Sequence, residues 1–331
     1  MEFKILFNIN NLLFTDNRPC QTPDFILSND YSFREKFYTK DFITELGKAE
    51  TRVRKESVFA YSIISNNAPM GRIDLLNELR REMFEKMQYL DGFLIWLWFS
   101  KDSCVYVDKV SGQIDEIENG VIGIHSNSNA WNSSGEKEDT CFSENEIRAA
   151  IKIADKYREV CTQNLVSIDD ILQNERTNTP LIMGHSEGYN HNNNNAIQRS
   201  FIFLAGGRKI KYLPYRIAMY MPIFECLFAI EASEVTQKIS ERVAFYLSDD
   251  KEERKREYET MKIGYDYRSR FLHGDTFKKK HINIENSKPI SIKIDDFARR
   301  SLTKIILEDA SKFLETNSEK RNDFLNDIIF R

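Results

Sequence analysis

The sequence predicts an α+β protein, in which a mixed α/β domain over residues 1–140 precedes an all-α helical bundle over residues 141–331. Glycine (13) and proline (7) are scarce among the 331 residues, which favours helices. Roughly the first seventy residues alternate short apolar runs with Asn, Asp and Pro, a pattern typical of short strands. Through most of the second half, apolar residues recur at helical spacing.

The N-terminal domain is expected to combine these short strands with one long helix that begins at Arg72. Its apolar residues recur three or four positions apart, at Ile73, Leu76, Leu79, Met83, Met87, Leu90 and Phe93. The second half of this helix is apolar almost all round and should be deeply buried. Its aromatic residues are therefore expected to pack in a core rather than to stack on bases. Strands are predicted to follow, with turns at Ser111-Gly112 and Asn119-Gly120.

The helical bundle is predicted from local signals at its helix ends. A polar stretch over residues 125–140 marks the domain boundary, and Ser143 with Glu146 forms the pattern of a capping box. A flexible, asparagine-rich loop is expected at about residues 176–197. A long charged helix is predicted to end at Gly274, because glycine accepts the left-handed conformation that closes a helix. After a basic loop, the last bundle helix is predicted from Asp295.

The charge and cysteine content indicate a soluble protein of the cytoplasm. The net charge of −4 gives no global reason to expect a polyanionic partner. Charge is uneven, however: residues 251–281 carry ten Lys or Arg against six Asp or Glu. The five cysteines are scattered without the close spacing of a metal or redox motif. The most apolar run, which starts at Asp91, is too short to cross a bilayer, so no membrane association is expected.

The stretch "YDYRSRFLHG" contains the residues that could perform chemistry, Arg268 and His273. Imidazole exchanges protons near neutral pH, and guanidinium binds phosphate oxygens in a bidentate fork. Together they could cleave RNA without a metal, by attack of the ribose 2′-OH on the adjacent phosphorus. Two residues five positions apart point about 140° apart around an ideal helix, so they could flank one cleft only if the last turn loosens at Gly274 or a partner surface surrounds the helix end. The plainer interpretation is a basic last turn, which the helix dipole favours in any case.

The segment over residues 221–277 resembles the Apea-like branch of the HEPN superfamily. The motif that carries the resemblance is Tyr265, Arg268, Ser269, His273 and Gly274, which matches the family's Tyr-x-x-Arg-Ser-x-x-x-His-Gly ending. Two softer features are an acid within an apolar helix, Glu225 in "FECLF", and an arginine within an amphipathic helix, Arg242 in "QKISERVAFYL". The resemblance covers roughly residues 195–315.

The resemblance implies a helical bundle that forms a homodimer or a higher homo-oligomer, in which motif ends meet across a two-fold interface. It also implies a metal-independent endoribonuclease without cofactors, a toxin-like effector of anti-phage defence with tRNA among the family's targets. The N-terminal domain would then sense a trigger or restrain the activity. A second protein is expected as the trigger or as an inhibitor. The alternative is a non-catalytic HEPN module that dimerises and binds nucleic acid or a partner protein.

Site residues follow from the same resemblance. Arg268 and His273 are expected to be catalytic. Glu225 would orient Arg268, and Ser269 and Tyr265 would support the pair. RNA contacts are expected from the basic residues that follow the motif arginine, namely Arg270, Lys278, Lys279 and Lys280. No metal site is expected.

Overall fold

A computed structural model describes residues 1–15, 19–22, 25–48, 57–66, 69–126, 129–161, 194–230, 235–314 and 318–330. The chain divides into two compact units, the first formed by residues 1–132 with 136–151 and the second by residues 133–135 with 152–331. Strands lie in the first unit and most helices in the second, so the α+β class is confirmed. The first unit includes the start of a helix that the sequence assigned to the bundle, beyond the predicted boundary at residue 140.

The first unit is built on an antiparallel sheet. Among the described residues, six strands pair in the order β3-β4-β5-β1-β6-β7, and β2 pairs with β8 in parallel. The strands are β1 (Glu2–Asn10), β2 (Leu12–Phe14), β3 (Cys20–Gln21), β4 (Ile26–Ser28), β5 (Phe59–Ser65), β6 (Tyr106–Ile114), β7 (Val121–His125) and β8 (Thr140–Phe142). The helices of this unit are α1 (Tyr31–Glu35), α2 (Lys40–Leu46) and α3 (Arg72–Ser100). The sequence did not predict α1 and α2, which Asp30 and Thr39 cap.

Helix α3 packs on β6 through a glycine, which corrects one sequence prediction. Gly112 lies within β6 and not in a turn. A Cβ atom there would meet the Met83 Sδ at 2.5 Å, so glycine at this position lets the helix approach the strand closely. The turn at Asn119-Gly120 is confirmed, since the Ile114 amide donates to the Gly120 carbonyl at 2.9 Å. The aromatic residues at the end of α3 are buried in the core, as predicted: Phe93, Trp96, Trp98 and Phe99.

The second unit is helical. After α4 (Glu144–Cys161) come α5 (Ala196–Arg208), α6 (Leu213–Phe228), α7 (Val235–Leu247), α8 (Lys251–His273), α9 (Lys279–Ile282), α10 (Ile284–Lys304), a π-helical turn (Ile305–Asp309), α11 (Ala310–Leu314) and α12 (Ser318–Phe330). In the part of the chain that the structure describes, no helix is long and apolar enough to cross a membrane.

Several helix ends differ from the sequence predictions. The capping box is confirmed, since the Ser143 amide donates to Glu146 Oε2 at 2.8 Å. The asparagine-rich loop falls mostly on residues 176–193, which lie outside the described residues, and its predicted end is wrong because α5 begins at Ala196. The basic segment forms α9 rather than a loop, α10 begins at Ile284 rather than Asp295, and α12 was not predicted.

Helix α6 lies at the centre of the helical unit and packs against α5, α7, α8 and α10. Two glycines allow this close packing. A Cβ atom on Gly207 of α5 would meet the Tyr220 ring at 2.6 Å, and one on Gly264 of α8 would meet the Met221 Sδ at 2.6 Å. Because α6 is apolar on nearly all sides, its one acidic residue, Glu225, is held at a well-defined place in the unit.

The C-terminus of α6 is closed by arginines instead of glycine. The Arg242 Nη1 donates to the Phe228 carbonyl at 2.9 Å. The Arg321 Nη2 donates to the carbonyls of Cys226 and Leu227, each at 2.7 Å. Cations at this end also interact favourably with the helix dipole. The interior arginine that contributed to the family resemblance, Arg242, therefore has a structural role in this chain.

Candidate functional site

Helix α8 keeps regular geometry to its last residue. The amide of Glu253 donates to the capping Asp250 side chain at 2.8 Å. At the other end Gly274 has a φ of 69°, and the Asp275 amide reaches back to the Arg270 carbonyl at 3.0 Å. This hydrogen bond is typical of a Schellman motif, in which a left-handed glycine ends the helix. The predicted end at Gly274 is therefore confirmed, and the last turn does not loosen.

Arg268 on α8 is paired with Glu225 on α6. The Arg268 Nη2 donates to Glu225 Oε2 at 2.9 Å, and the Arg268 Nε lies 2.6 Å from Glu225 Oε1. About a third of the arginine side chain (30%) and a fifth of the glutamate side chain (20%) stay exposed. Glu225 thus holds one edge of the guanidinium, and Nη1 has no hydrogen-bond partner among the described residues.

Burial dominates the electrostatics of this pair. It raises the pKa of Glu225 above its ordinary value, and the positive charge of Arg268 opposes this rise only in part. Tyr265 is also buried near the pair, and burial together with the Glu225 charge raises the pKa of its phenol. The Tyr265 hydroxyl has no hydrogen-bond partner within the described ranges. Tyr265 therefore supports the pair with no hydrogen bond to any described residue.

His273 and Ser269 lie exposed on α8. Neither side chain forms a hydrogen bond or an ion pair with any residue that the structure describes. Because α8 stays regular to His273, Arg268 and His273 leave the helix about 140° apart. The structure therefore brings Arg268 to Glu225 but does not bring His273 to Arg268 within one chain.

A second cluster surrounds Asp266, one residue after Tyr265. Its carboxylate accepts from the Arg270 Nε at 3.1 Å, lies 3.0 Å from the His281 Nε2, and is 3.8 Å from the Lys278 Nζ. The Arg270 Nη1 also donates to the Thr276 carbonyl at 3.3 Å. Arg270, predicted to contact RNA, is therefore already bonded within the chain and helps to hold the segment after α8. Lys279 and Lys280 are exposed.

Asp266 and His281 were not predicted from the sequence as site residues. His281 is buried, its ring lies 4.6 Å from the Tyr267 ring, and the Tyr267 hydroxyl donates to its carbonyl at 3.2 Å. Burial lowers the pKa of His281, and the neighbouring Asp266 carboxylate opposes this decrease in part. The only signal in the sequence was a histidine at the end of a lysine run, and such a run does not indicate burial.

Replacing Glu225 with glutamine is expected to raise thermal stability at pH 8 and to have little effect at pH 4. Since the folded state raises the pKa of Glu225, it binds the proton more tightly than the unfolded chain does. Ionisation of Glu225 therefore lowers stability as pH rises above the ordinary carboxyl pKa of about 4.3, and glutamine removes this loss. Melting curves of both proteins at pH 4 and pH 8 measure it. A variant less stable than the wild type at pH 8 would show that the ion pair with Arg268 outweighs burial.

Comparison of the chain with protein-family models, with curated proteins and with solved structures finds no match. The resemblance to the HEPN superfamily therefore rests on the motif residues and stays a prediction. Over the described residues, no group of three or more His, Cys, Asp or Glu side chains is placed to hold a metal ion.

Proposed function

We propose that the chain is an endoribonuclease of the HEPN type, in which Arg268 binds a phosphodiester and His273 transfers protons. The proposal rests on the hydrogen-bond partners of the Arg268 guanidinium. Glu225 accepts a hydrogen bond from the Arg268 Nη2 and lies 2.6 Å from its Nε, and Nη1 has no hydrogen-bond partner among the described residues. An arginine that is oriented from one side and open on the other is suited to bind a phosphate.

The proposed reaction needs only these groups and the RNA itself. The 2′-oxygen forms a bond to phosphorus as its proton leaves, and the bond from phosphorus to the 5′-oxygen breaks as that oxygen gains a proton. His273 acts as the general base or the general acid. Arg268 stabilises the negative charge that grows on the phosphoryl oxygens. The products are a 2′,3′-cyclic phosphate and a free 5′-hydroxyl.

A homodimer completes the proposed site. Arg268 and His273 leave α8 in different directions, so one helix end cannot place both on one phosphate. A two-fold dimer can bring two helix ends face to face, so that Arg268 and His273 from both copies surround one groove. The exposed position of His273 at the end of α8 is compatible with this arrangement. The role in anti-phage defence and the regulation by the N-terminal domain stay predictions from the resemblance.

The test is cleavage of labelled RNA by the purified full-length chain in the presence of EDTA. Fragments with 2′,3′-cyclic phosphate ends are expected. The matched control is the same RNA with a deoxynucleotide on the 5′ side of each mapped cut, which should remain intact because it lacks the attacking hydroxyl. Cutting of this control, or loss of all cleavage in EDTA, would contradict the proposed mechanism.

A non-catalytic binding module is the second candidate. It is favoured by the absence of any contact between His273 and Arg268 within the chain and by the ion pair that already engages Arg268. This function predicts RNA or protein binding without strand cleavage, and an Arg268→Ala variant that loses association. Growth of cells that overproduce the protein separates the two candidates, since toxicity that His273→Ala relieves indicates the nuclease.

A further inference from the structure

Four aromatic side chains near the end of α8 form a connected surface, which we call the aromatic platform: Tyr212, Tyr215, Phe271 and Phe277. The Tyr215 ring contacts the other three, with ring centres 5.0 Å from Tyr212, 5.0 Å from Phe271 and 5.8 Å from Phe277. Both tyrosines remain 45% exposed despite these contacts. Exposed aromatic rings that contact each other form a contiguous apolar patch. Such a patch indicates an interaction site, whereas single exposed apolar residues do not.

Contacts with neighbouring residues hold the aromatic platform in place. The Phe277 ring lies 6.0 Å from the buried Tyr267 ring, which in turn contacts His281. Tyr212 caps α6, and its carbonyl accepts from the amides of Tyr215 at 3.1 Å and Arg216 at 3.0 Å. The left-handed Gly274 fixes the exit of the chain from α8. Because the rings are already positioned, little conformational entropy is lost when a ligand binds them.

The segments that carry the platform are basic. Residues 209–215 and 266–281 contain seven Lys or Arg, at positions 209, 211, 268, 270, 278, 279 and 280, against the two acids Asp266 and Asp275. Asp266 is itself engaged by Arg270 and His281. Arg268 is likewise paired with Glu225, so the local excess of positive charge comes from the five lysines, in a chain whose net charge is −4.

We infer that the aromatic platform binds unpaired bases of single-stranded RNA. Aromatic rings stack on bases of any sequence, and flanking cations bind the phosphates between them. Protein interfaces are also rich in tyrosine and phenylalanine, but their centres are depleted in lysine, whereas the segments that carry this platform contain five lysines. Duplex RNA is also a poor ligand, because its bases are already stacked and cannot lie on protein rings.

The position of Phe271 connects this inference to the proposed nuclease, on which its functional meaning rests. Phe271 lies between Arg268 and His273 on α8, and its ring contacts Tyr215. A base stacked on Tyr215 and a phosphate bound by Arg268 would therefore belong to one RNA strand that lies along α8. The platform would restrict cleavage to unpaired positions, such as loops and single-stranded ends.

Binding of 2′-O-methyl RNA tests the platform separately from the nuclease, because this RNA lacks the attacking hydroxyl. A fluorescent 12-nucleotide single strand should bind the wild type at least tenfold more tightly than the same strand in a duplex. The double variant Tyr212→Ala/Tyr215→Ala should weaken single-strand binding about tenfold or more, since stacking contributes roughly 1–3 kcal/mol per base. The double variant Tyr212→Phe/Tyr215→Phe keeps both rings and should bind within about twofold of the wild type.

A control variant and an independent cross-linking experiment complete the test. Tyr89→Ala removes a tyrosine that is 51% exposed elsewhere in the chain and should leave binding unchanged. Cross-linking of 5-iodouridine RNA to the wild type needs no variant, and it should label peptides that contain Tyr212 or Tyr215. Equal binding by the alanine variant, equal binding of duplex, or cross-links found only elsewhere would overturn the inference.

The remaining outcomes also separate the two proposals. If the wild type binds no RNA and the alanine variant instead loses self-association in light scattering, the platform is a protein interface and the inference is wrong. If single strands bind through the platform but natural RNA is never cut, the nuclease proposal fails and the platform stands. If RNA is cut equally by the wild type and the alanine variant at limiting concentrations, the platform fails and the nuclease stands.

Discussion

A His273→Ala variant is expected to lose RNA cleavage by about 10²–10⁴-fold while its stability stays within about 0.5 kcal/mol of the wild type. The imidazole is exposed and forms no bond with any described residue, so its removal leaves the packing of the unit unchanged. The loss of rate follows from the loss of proton transfer to or from the reacting oxygens. Single-turnover cleavage in EDTA measures the rate, and thermal melting measures the stability.

A matched variant separates chemistry from binding. Lys280→Ala removes another exposed side chain from the same region, and it should weaken RNA affinity while the rate at saturating RNA is retained. Cleavage by His273→Ala at the wild-type rate would remove the catalytic role of this residue. A clear fall in the melting temperature of His273→Ala, together with the fall in activity, would show that His273 stabilises the fold instead.

Local sequence signals predicted the ends of some elements well. Gly274 closes α8 and Ser143 with Glu146 begins α4, because both effects depend on residues within one turn of the helix end. Gly112 was misjudged for the opposite reason. Its neighbours along the chain resemble a turn, but α3 packs above it and requires a residue without a side chain.

The candidate site was partly accessible to sequence reasoning. The family resemblance predicted that Glu225 orients Arg268, and the two side chains, 43 residues apart in sequence, are paired in the structure. The Asp266–His281 pair and the aromatic platform had no such signal. Their residues come from helices and connecting segments that meet only in the folded unit, and each residue alone is common on a protein surface. The same limit applies to the proposed homodimer, whose interface would form between two chains.

The second large effect is expected for Asp295, a buried acid of α10 that binds the central helix α6. Its Oδ2 accepts from the Tyr220 hydroxyl at 2.7 Å and lies 3.5 Å from the Arg216 Nη2. Both Arg216 and Asp295 are only 1% exposed. Asp295→Ala would leave the Arg216 charge in the interior without this counter-ion, a change that typically costs about 3–5 kcal/mol.

The adjacent residue offers a matched control. Asp296 also pairs with arginines, Arg299 at 3.2 Å and Arg300 at 3.5 Å, but its side chain is 39% exposed. Asp296→Ala should therefore cost less than about 1 kcal/mol, as is usual for surface ion pairs. Each variant removes one carboxylate from the same helix. A difference in stability between the two variants therefore reports the burial of the carboxylate and not the change in net charge.

Hydrogen exchange gives the measurement, because a chain with two compact units need not unfold in one step. Peptides that cover residues 213–228 should exchange much faster in Asp295→Ala and at nearly the wild-type rate in Asp296→Ala. Since α6 carries Glu225, the loosened helix should also release Arg268, and RNA cleavage should fall together with protection. Equal protection of α6 in the two variants would show that the Arg216–Asp295 pair does not hold this helix in place.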